Sequence, residues 1–206
     1  MKSKTIVAGI FMTTLAFAIS SCGGKKEATD DAHQHEHEHA APAAEAVAES
    51  SVPQFTVDAA FQQQLAAVFK SYVALKEAFV ASDAKKVSTE AATTTASLAS
   101  VDMKLVTGAA HHDWTTFHAG MESALKEMTT ATDIEVQRTA FSKLSEQLYK
   151  SIKAYGLGGA TTAFYEFCPM AFDNQGGFWL SDSEQIRNPY FGDQMLTCGS
   201  VKEKLQ

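Results

Sequence analysis

Apolar residues recur at helical spacing along the chain from residue 55 to residue 155. Successive apolar side chains are mostly three or four positions apart, the spacing that places them on one face of an α-helix. The first stripe ends near Asp83, which can cap a following helix. It comprises Phe61, Leu65, Val68, Tyr72, Leu75 and Phe79.

Three further apolar stripes predict three more helices. The second runs from about Ala84 to Met103, and Gly108 breaks it. The third stops near Asp133, and the fourth begins near Ile134 and ends at the GLGG run of residues 156–159. The inward positions are Val87, Ala91, Thr94, Leu98 and Val101, then Trp114, Phe117, Met121, Leu125 and Met128, then Phe141, Leu144, Leu148, Ile152 and Tyr155. Four helices of similar length with short connections predict an all-α, up-down four-helix bundle.

The pattern changes after Gly159. Short aromatic segments, AFYEF and GFWL, are separated by the turn-forming DNQGG, and RNPYFG is a further turn. These features predict a compact irregular cap over about residues 160–206, which could include a small β-hairpin. The final SVKEKL predicts one short helix.

The first residues have the order of a bacterial lipoprotein signal. Lys2 and Lys4 precede the apolar run TIVAGIFMTTLAFAI, and ISSC then resembles a lipobox. We therefore expect a signal peptide over residues 1–21 and lipidation of Cys22. The mature protein would be anchored by lipid to a membrane of the cell envelope, in the periplasm or at the cell surface, where disulfides persist.

Residues 22–52 are poor in large apolar side chains and predict a disordered tether ahead of a folded domain over residues 53–206. Four imidazoles alternate with polar residues in HQHEHEH. On a flexible chain they could chelate zinc, nickel or divalent copper, and a soluble polar spacer is the equally weighted alternative. These residues are His33, His35, His37 and His39.

Net charge and the motifs that the sequence lacks argue against some classes of function. The formal net charge is -7, so nucleic acid is not an expected partner. The chain has no nucleophile elbow, no phosphate-binding glycine loop and no protease-like order of cysteine, histidine and carboxylate. We therefore expect a non-enzymatic protein.

Two sulfur pairs frame the predicted cap. Cys168 and Met170 lie two positions apart around a proline, and Met195 and Cys198 lie three apart. If the cap folds back on itself, four sulfur atoms could converge, and thiolate and thioether ligands favour monovalent copper. His111, in HHDWTTFH, could add a donor, whereas His118 is interpreted as a core residue beside Trp114.

The same cysteines allow two other interpretations. In an oxidising compartment Cys168 and Cys198 are natural disulfide partners, and closing the loop between them could stabilise the fold by about 3 to 4 kcal/mol. Met170 and Met195 would then fill the core. A reactive thiol pair is the third possibility. An aromatic cap also suits docking on an envelope protein, through Phe178, Trp179, Tyr190 and Phe191.

CPMAFDNQGGFWLSDSEQIRNPYFGDQMLTCGSVKE, together with GAAHHDW and QRTAFSKLSEQLYKSIKAYG, resembles a helical envelope domain of unknown function found in bacterial lipoproteins. Similar domains are appended to periplasmic adaptor subunits of heavy-metal efflux systems. The resemblance spans residues 55–206, and it implies a metal ion and an efflux component as partners. The family pattern falls on His111, Cys168, Pro169, Met170, Trp179, Asn188, Pro189, Gly192, Met195, Cys198 and Gly199.

The sequence thus predicts a lipid-anchored helical protein that binds monovalent copper for buffering or for handover to efflux. Cys168, Met170, Met195 and Cys198 are the expected ligands, with His111 as a possible addition. The alternative is a disulfide-stapled structural or interaction module that holds no metal.

Overall fold

The computed structural model describes residues 48–49, 52–159 and 161–206. The predicted signal peptide, Cys22 and the four tether histidines lie outside these ranges. The described part of the chain is mostly helical, with a small antiparallel sheet at its C-terminal end. In these ranges no helix is both long and apolar enough to cross a membrane.

Four long helices follow the predicted stripes. They are α1 (Ala59–Val80), α2 (Ala84–Ala99), α3 (Gly108–Thr130) and α4 (Ile134–Tyr155), with a 3₁₀ turn at Met103–Leu105. Asp58, Asp83 and Asp133 cap α1, α2 and α4, because each side chain accepts a backbone N–H of the first turn. Gly156, at φ 70°, ends α4.

Helix α1 packs against α2 and α4, and α3 packs against α2 and α4. Every residue of the predicted stripes is buried except Phe117, which is half-buried against the core. Helices α3 and α4 run antiparallel, since Gln137 at the start of α4 donates to the carbonyl of Met128, whereas Tyr155 at its end donates to that of Ala110. This arrangement is compatible with the predicted bundle.

The C-terminal segment forms more regular structure than an irregular cap. Strands β2 (Ala163–Cys168), β3 (Gly177–Ser181) and β4 (Ser200–Leu205) make an antiparallel sheet with β2 in the middle. A two-residue strand β1 (Ala48–Glu49), inside the predicted tether, pairs with β4 in parallel. A short helical turn, α5 (Ala171–Asn174), links β2 to β3.

The predicted C-terminal helix is wrong, since SVKEKL is strand β4. Lys, Glu and Leu favour helices, but β4 pairs along most of β2, from Phe167 opposite Ser200 to Ala163 opposite Leu205. Leu205 is fully buried in that position. Tertiary pairing therefore overrides the local propensity.

Candidate metal centre

The two cysteines of the cap lie side by side. Cys168 ends the central strand β2 and is fully buried, whereas Cys198 lies in the turn before β4 and is half-buried. Their Sγ atoms are 2.7 Å apart, and both thiols are free. A disulfide bond measures about 2.05 Å, so the pair lies close to bonding distance without being bonded.

The two methionines open onto a common cavity. Met170 is 44% exposed and Met195 is 40% exposed. Both line a cavity of about 410 Å³ with Glu135, Arg138, Phe172 and Tyr190 among its walls. We call this the thioether cavity, and we call Cys168, Met170, Met195 and Cys198 together the sulfur corner. The fold thus brings both predicted sulfur pairs to one region.

A tight reversal of the chain follows Met170. After Cys168 the backbone passes through three consecutive residues in the left-handed region, Phe172, Asp173 and Asn174, with φ from 52° to 66°. The N–H of Gly176 closes the reversal on the carbonyl of Ala171 at 2.9 Å. This turn leads the chain into β3.

Asn188 holds the second sulfur pair in place. Its fully buried side chain donates to the Cys198 carbonyl at 2.9 Å and accepts the Tyr190 N–H at 2.8 Å. The Cys198 N–H in turn donates to the Met195 carbonyl at 3.0 Å. One amide therefore ties the NPY turn to the turn that carries both sulfurs.

Gly192 seats the same loop on the end of α1. A Cβ atom there would lie 2.6 Å from Ser82 Oγ and 2.8 Å from the Val80 carbonyl oxygen, and the residue has φ 54°. Both the close approach and the left-handed backbone require glycine. The loop is consequently fixed against the helices.

Burial raises the pKa of the Cys198 thiol to about 11, and the adjacent Cys168 raises it further, while the backbone N–H of Met170 acts in the opposite direction. Cys198 is therefore protonated at neutral pH in the metal-free protein. A metal ion that binds its sulfur must displace that proton.

A buried carboxyl group lies on the same strand. Glu166 is fully buried, and neither carboxyl oxygen has a hydrogen-bond partner within the described residues. Burial raises its pKa to about 8 despite the opposing effect of Lys76. Lys76 is itself 1% exposed and donates to Ser181 Oγ at 3.1 Å. Sequence patterns did not predict this site; its one signal is an acidic residue inside the aromatic segment AFYEF.

The structure does not bring His111 to the sulfur corner. His111 is exposed in the first turn of α3, next to Ala110, whose carbonyl accepts the Tyr155 hydroxyl. The thioether cavity instead contacts Arg138, at the other end of α4, and the 17 residues from there to Tyr155 span about 25 Å. His118 is half-buried with its ring against Trp114.

Across the described ranges, no group of three or more His, Cys, Asp or Glu side chains could hold a metal ion. The sulfur corner contributes only two residues of those types, since its other members are thioethers. Any metal held there would depend on Met170, on Met195 or on an external ligand.

A second cavity, of about 600 Å³, lies between α1 and the start of β2. Its walls include Phe69, Lys70, Val73, Thr162 and Asp182. It has no sulfur atom and no histidine among its lining residues, so it offers no soft ligand.

Residues 68–159 match a family model described as "Protein of unknown function (DUF3347)". The match covers most of α1 through the end of α4 and includes His111, but it stops before β2, so the sulfur corner lies outside it. No curated protein and no solved structure shows a significant match to the chain. The helical part of the chain is thus similar to an uncharacterised domain of unknown function.

Proposed function

We propose that this protein binds one soft metal ion, monovalent copper, at the sulfur corner, for buffering in the envelope or for handover to an efflux system. The ligands are the thiolates of Cys168 and Cys198 and the thioethers of Met170 and Met195. An up-down bundle of α1–α4 is the scaffold, and lipid on Cys22 is the anchor. The tether histidines are a separate, weaker site for zinc, nickel or divalent copper.

The exposure of the two methionines carries this proposal. Methionine normally fills gaps in a core, as Met121 and Met128 do at 0% exposure. Met170 and Met195 are instead two of the five exposed large apolar residues in the described ranges; they line one cavity, and each lies two or three residues from a cysteine. A disulfide staple would need only the cysteines and would give the methionines no role.

A second candidate function has its own observation in favour. A metal ion with tetrahedral ligands at about 2.3 Å keeps two sulfur atoms about 3.7 Å apart. The observed separation of 2.7 Å is shorter, so the pair must open by about 1 Å to hold an ion. Without metal, the same pair is placed to form the disulfide of a structural or interaction module.

Copper titration of the full chain tests the proposal. The protein carries Cys22→Ser, so that Cys168 and Cys198 are its only thiols, and it is reduced and handled without oxygen. Competition with a chromogenic chelator for monovalent copper should show one tight equivalent. Cys198→Ser should weaken binding by about a hundredfold, and Met195→Leu by about tenfold, since each removes a ligand. Met103→Leu, a half-buried methionine between α2 and α3, is the control.

Thiol counting separates the two candidates. Protein isolated from the envelope and denatured under an alkylating reagent should retain free Cys168 and Cys198 if the site holds metal. A complete absence of free thiol, together with no copper uptake by the reduced protein, would reject the metal site and favour the disulfide staple. An unchanged affinity in both Met170→Leu and Met195→Leu would remove the thioethers from the ligand set.

A further inference from the structure

The two cysteines of the sulfur corner differ in their access to solvent. Cys168 ends the central strand β2 and is fully buried, whereas Cys198 is half-buried in the turn before β4. Thr197 and Ser200, in the same segment as Cys198, are exposed. A reagent that arrives from solvent therefore reaches the Cys198 sulfur before the Cys168 sulfur.

Close packing holds the turn that carries Cys198 against the end of β2. A Cβ atom on Gly199 would lie 2.9 Å from the Trp179 ring and 3.0 Å from the Phe167 carbonyl oxygen, so the backbone approaches the strand as closely as glycine allows. The buried Asn188 side chain also donates to the Cys198 carbonyl at 2.9 Å. Because the backbone is held on both sides of the pair, each thiol meets the other at a high effective concentration.

The separation of the two Sγ atoms lies between the values that a disulfide and a metal ion require. The sulfurs are 2.7 Å apart, a disulfide bond measures about 2.05 Å, and a tetrahedral ion keeps two sulfur ligands about 3.7 Å apart. The pair therefore closes to form a disulfide and opens to hold an ion, and it cannot do both at once.

The chemistry of sulfur makes the same two states exclusive. The thiolate is the form of cysteine that binds a metal ion, and a disulfide sulfur carries no negative charge. Oxidation of the pair removes both thiolates together and leaves only the thioethers of Met170 and Met195. Two neutral thioethers hold an ion less tightly than the full set of four ligands, so oxidation weakens the site.

We propose that the sulfur corner is a redox switch, in which an external small-molecule disulfide oxidises Cys168 and Cys198 and so releases the metal ion. This inference rests on the proposed function, because it concerns how the ion leaves that site. Cys198 attacks the external disulfide, and a mixed disulfide forms as one thiolate leaves. Cys168 then attacks Cys198 Sγ, and the second thiolate leaves. The protein loses two electrons, the external disulfide gains two, and copper departs still monovalent.

The order of the two sulfurs is tested on the reduced, metal-free full chain carrying Cys22→Ser. Glutathione disulfide is added, and acid-quenched samples are analysed by mass spectrometry. The parent protein should form the internal disulfide, whereas Cys168→Ser should stop with one glutathione on Cys198. Cys198→Ser should react at least about tenfold more slowly, because its remaining thiol is buried. Limited alkylation of the native parent protein tests the same order without a substitution, and the first label should fall on Cys198.

Release of the ion is tested on the same protein loaded with monovalent copper. A chromogenic chelator is present at a concentration that leaves the ion on the reduced protein. Glutathione disulfide should then transfer one copper ion to the chelator for each internal disulfide formed. Two equivalents of reduced glutathione, which binds copper but cannot oxidise the cysteines, should leave the ion on the protein. Met103→Leu, which changes no sulfur of the site, is the protein control and should release copper at the parent rate.

Failure of the switch and failure of the metal site give different results. Tight copper binding by the reduced protein, combined with copper that stays bound after the disulfide has formed, would reject the switch and leave the metal site standing. A loaded protein that glutathione disulfide does not oxidise, or a first label on Cys168, would reject it as well. No copper binding by the reduced parent protein in chelator competition would reject the metal site and the switch together.

Discussion

Glu166 gives the fold a pH dependence that one substitution should remove. Its side chain is fully buried and its carboxyl oxygens have no hydrogen-bond partner in the described ranges. Burial is the largest cause of its raised pKa of about 8. Lys76 and Trp179 favour the charged form, whereas Asp182 and Glu77 add to the increase. Desolvation prevails, so the folded protein keeps Glu166 protonated at neutral pH.

The sign of the effect follows from proton binding. An unfolded chain releases the Glu166 proton near pH 4.5, but the folded protein retains it up to about pH 8. The folded state therefore binds more protons between these values, and the free energy of unfolding falls as pH rises through that window. At about 1.4 kcal/mol per pKa unit, the loss between pH 5 and pH 8 is about 3 kcal/mol.

Glu166→Gln tests this reasoning, because the amide has the shape of the protonated acid and cannot ionise. Urea unfolding of the reduced, metal-free full chain, followed by far-ultraviolet circular dichroism, gives the free energy at each pH. From pH 5 to pH 8, the free energy of unfolding of the variant, relative to that of the parent protein, should rise by about 3 kcal/mol. Glu146→Gln, at an exposed position, is the control. It should leave the pH dependence of the free energy of unfolding as it is in the parent protein, because it keeps Glu166 and the other titrating groups. A difference between variant and parent that stays constant with pH would refute the reasoning.

Two further substitutions, measured by the same urea assay, test how strand β3 packs against the elements around it. Tyr72→Phe leaves the buried N–H of Leu180 without the hydroxyl that accepts it at 3.1 Å, so we expect a loss of about 1 to 3 kcal/mol; a change below about 0.5 kcal/mol would contradict it. Gly177→Ala places a Cβ atom 2.6 Å from the Tyr190 ring and 2.9 Å from Ala171 Cβ, so overpacking should cost about 1 to 3 kcal/mol. A variant as stable as the parent protein would contradict this prediction, because it would show that the neighbouring side chains make room for the Cβ atom without cost.

Sequence periodicity predicted the helices because each buries one continuous face. The apolar spacing from Phe61 to Phe79 coincides with α1, and Asp83 and Asp133 cap helices that begin one residue later. These signals are local, so the residues that carry them suffice to predict the element. The third helix begins at Gly108, the residue at which the second apolar stripe was predicted to break.

The structure of the cap was harder to predict because its strands form only by pairing with segments that are distant in the chain. Strand β4 contains good helix formers and becomes a strand only by pairing with β2. The convergence of Cys168 and Cys198 was predicted, since paired cysteines imply it. Burial of Glu166 was not, because it depends on where β2 meets α1 and on a bulge between Tyr165 and Glu166 that no local signal marks.

The prediction that His111 adds a donor to the sulfur corner was wrong for the same reason: it depended on contacts between segments distant in the chain. Spacing along a helix indicates which face a residue occupies, but not which end of the bundle another segment will reach. The ring of Tyr165 on β2 stacks on Tyr149 of α4, and Met170, two residues after Cys168, lines a cavity with Arg138, about 25 Å along α4 from Tyr155. His111 is excluded from the sulfur corner because it lies at the other end of the bundle, and not because an imidazole is an unsuitable ligand.

Under the proposed function, the construction of the sulfur corner favours exchange of the metal ion over permanent storage. Cys168 belongs to a central strand, and Asn188 fixes the backbone of Cys198 by a buried hydrogen bond, so the thiol half is rigid. Met170 and Met195 instead project from turns into an open cavity, where flexible thioethers can change partners at little energetic cost. A storage site would gain affinity by enclosing all four ligands. In the proposed metal site, two exposed ligands would lower the affinity and would let external ligands replace them one at a time.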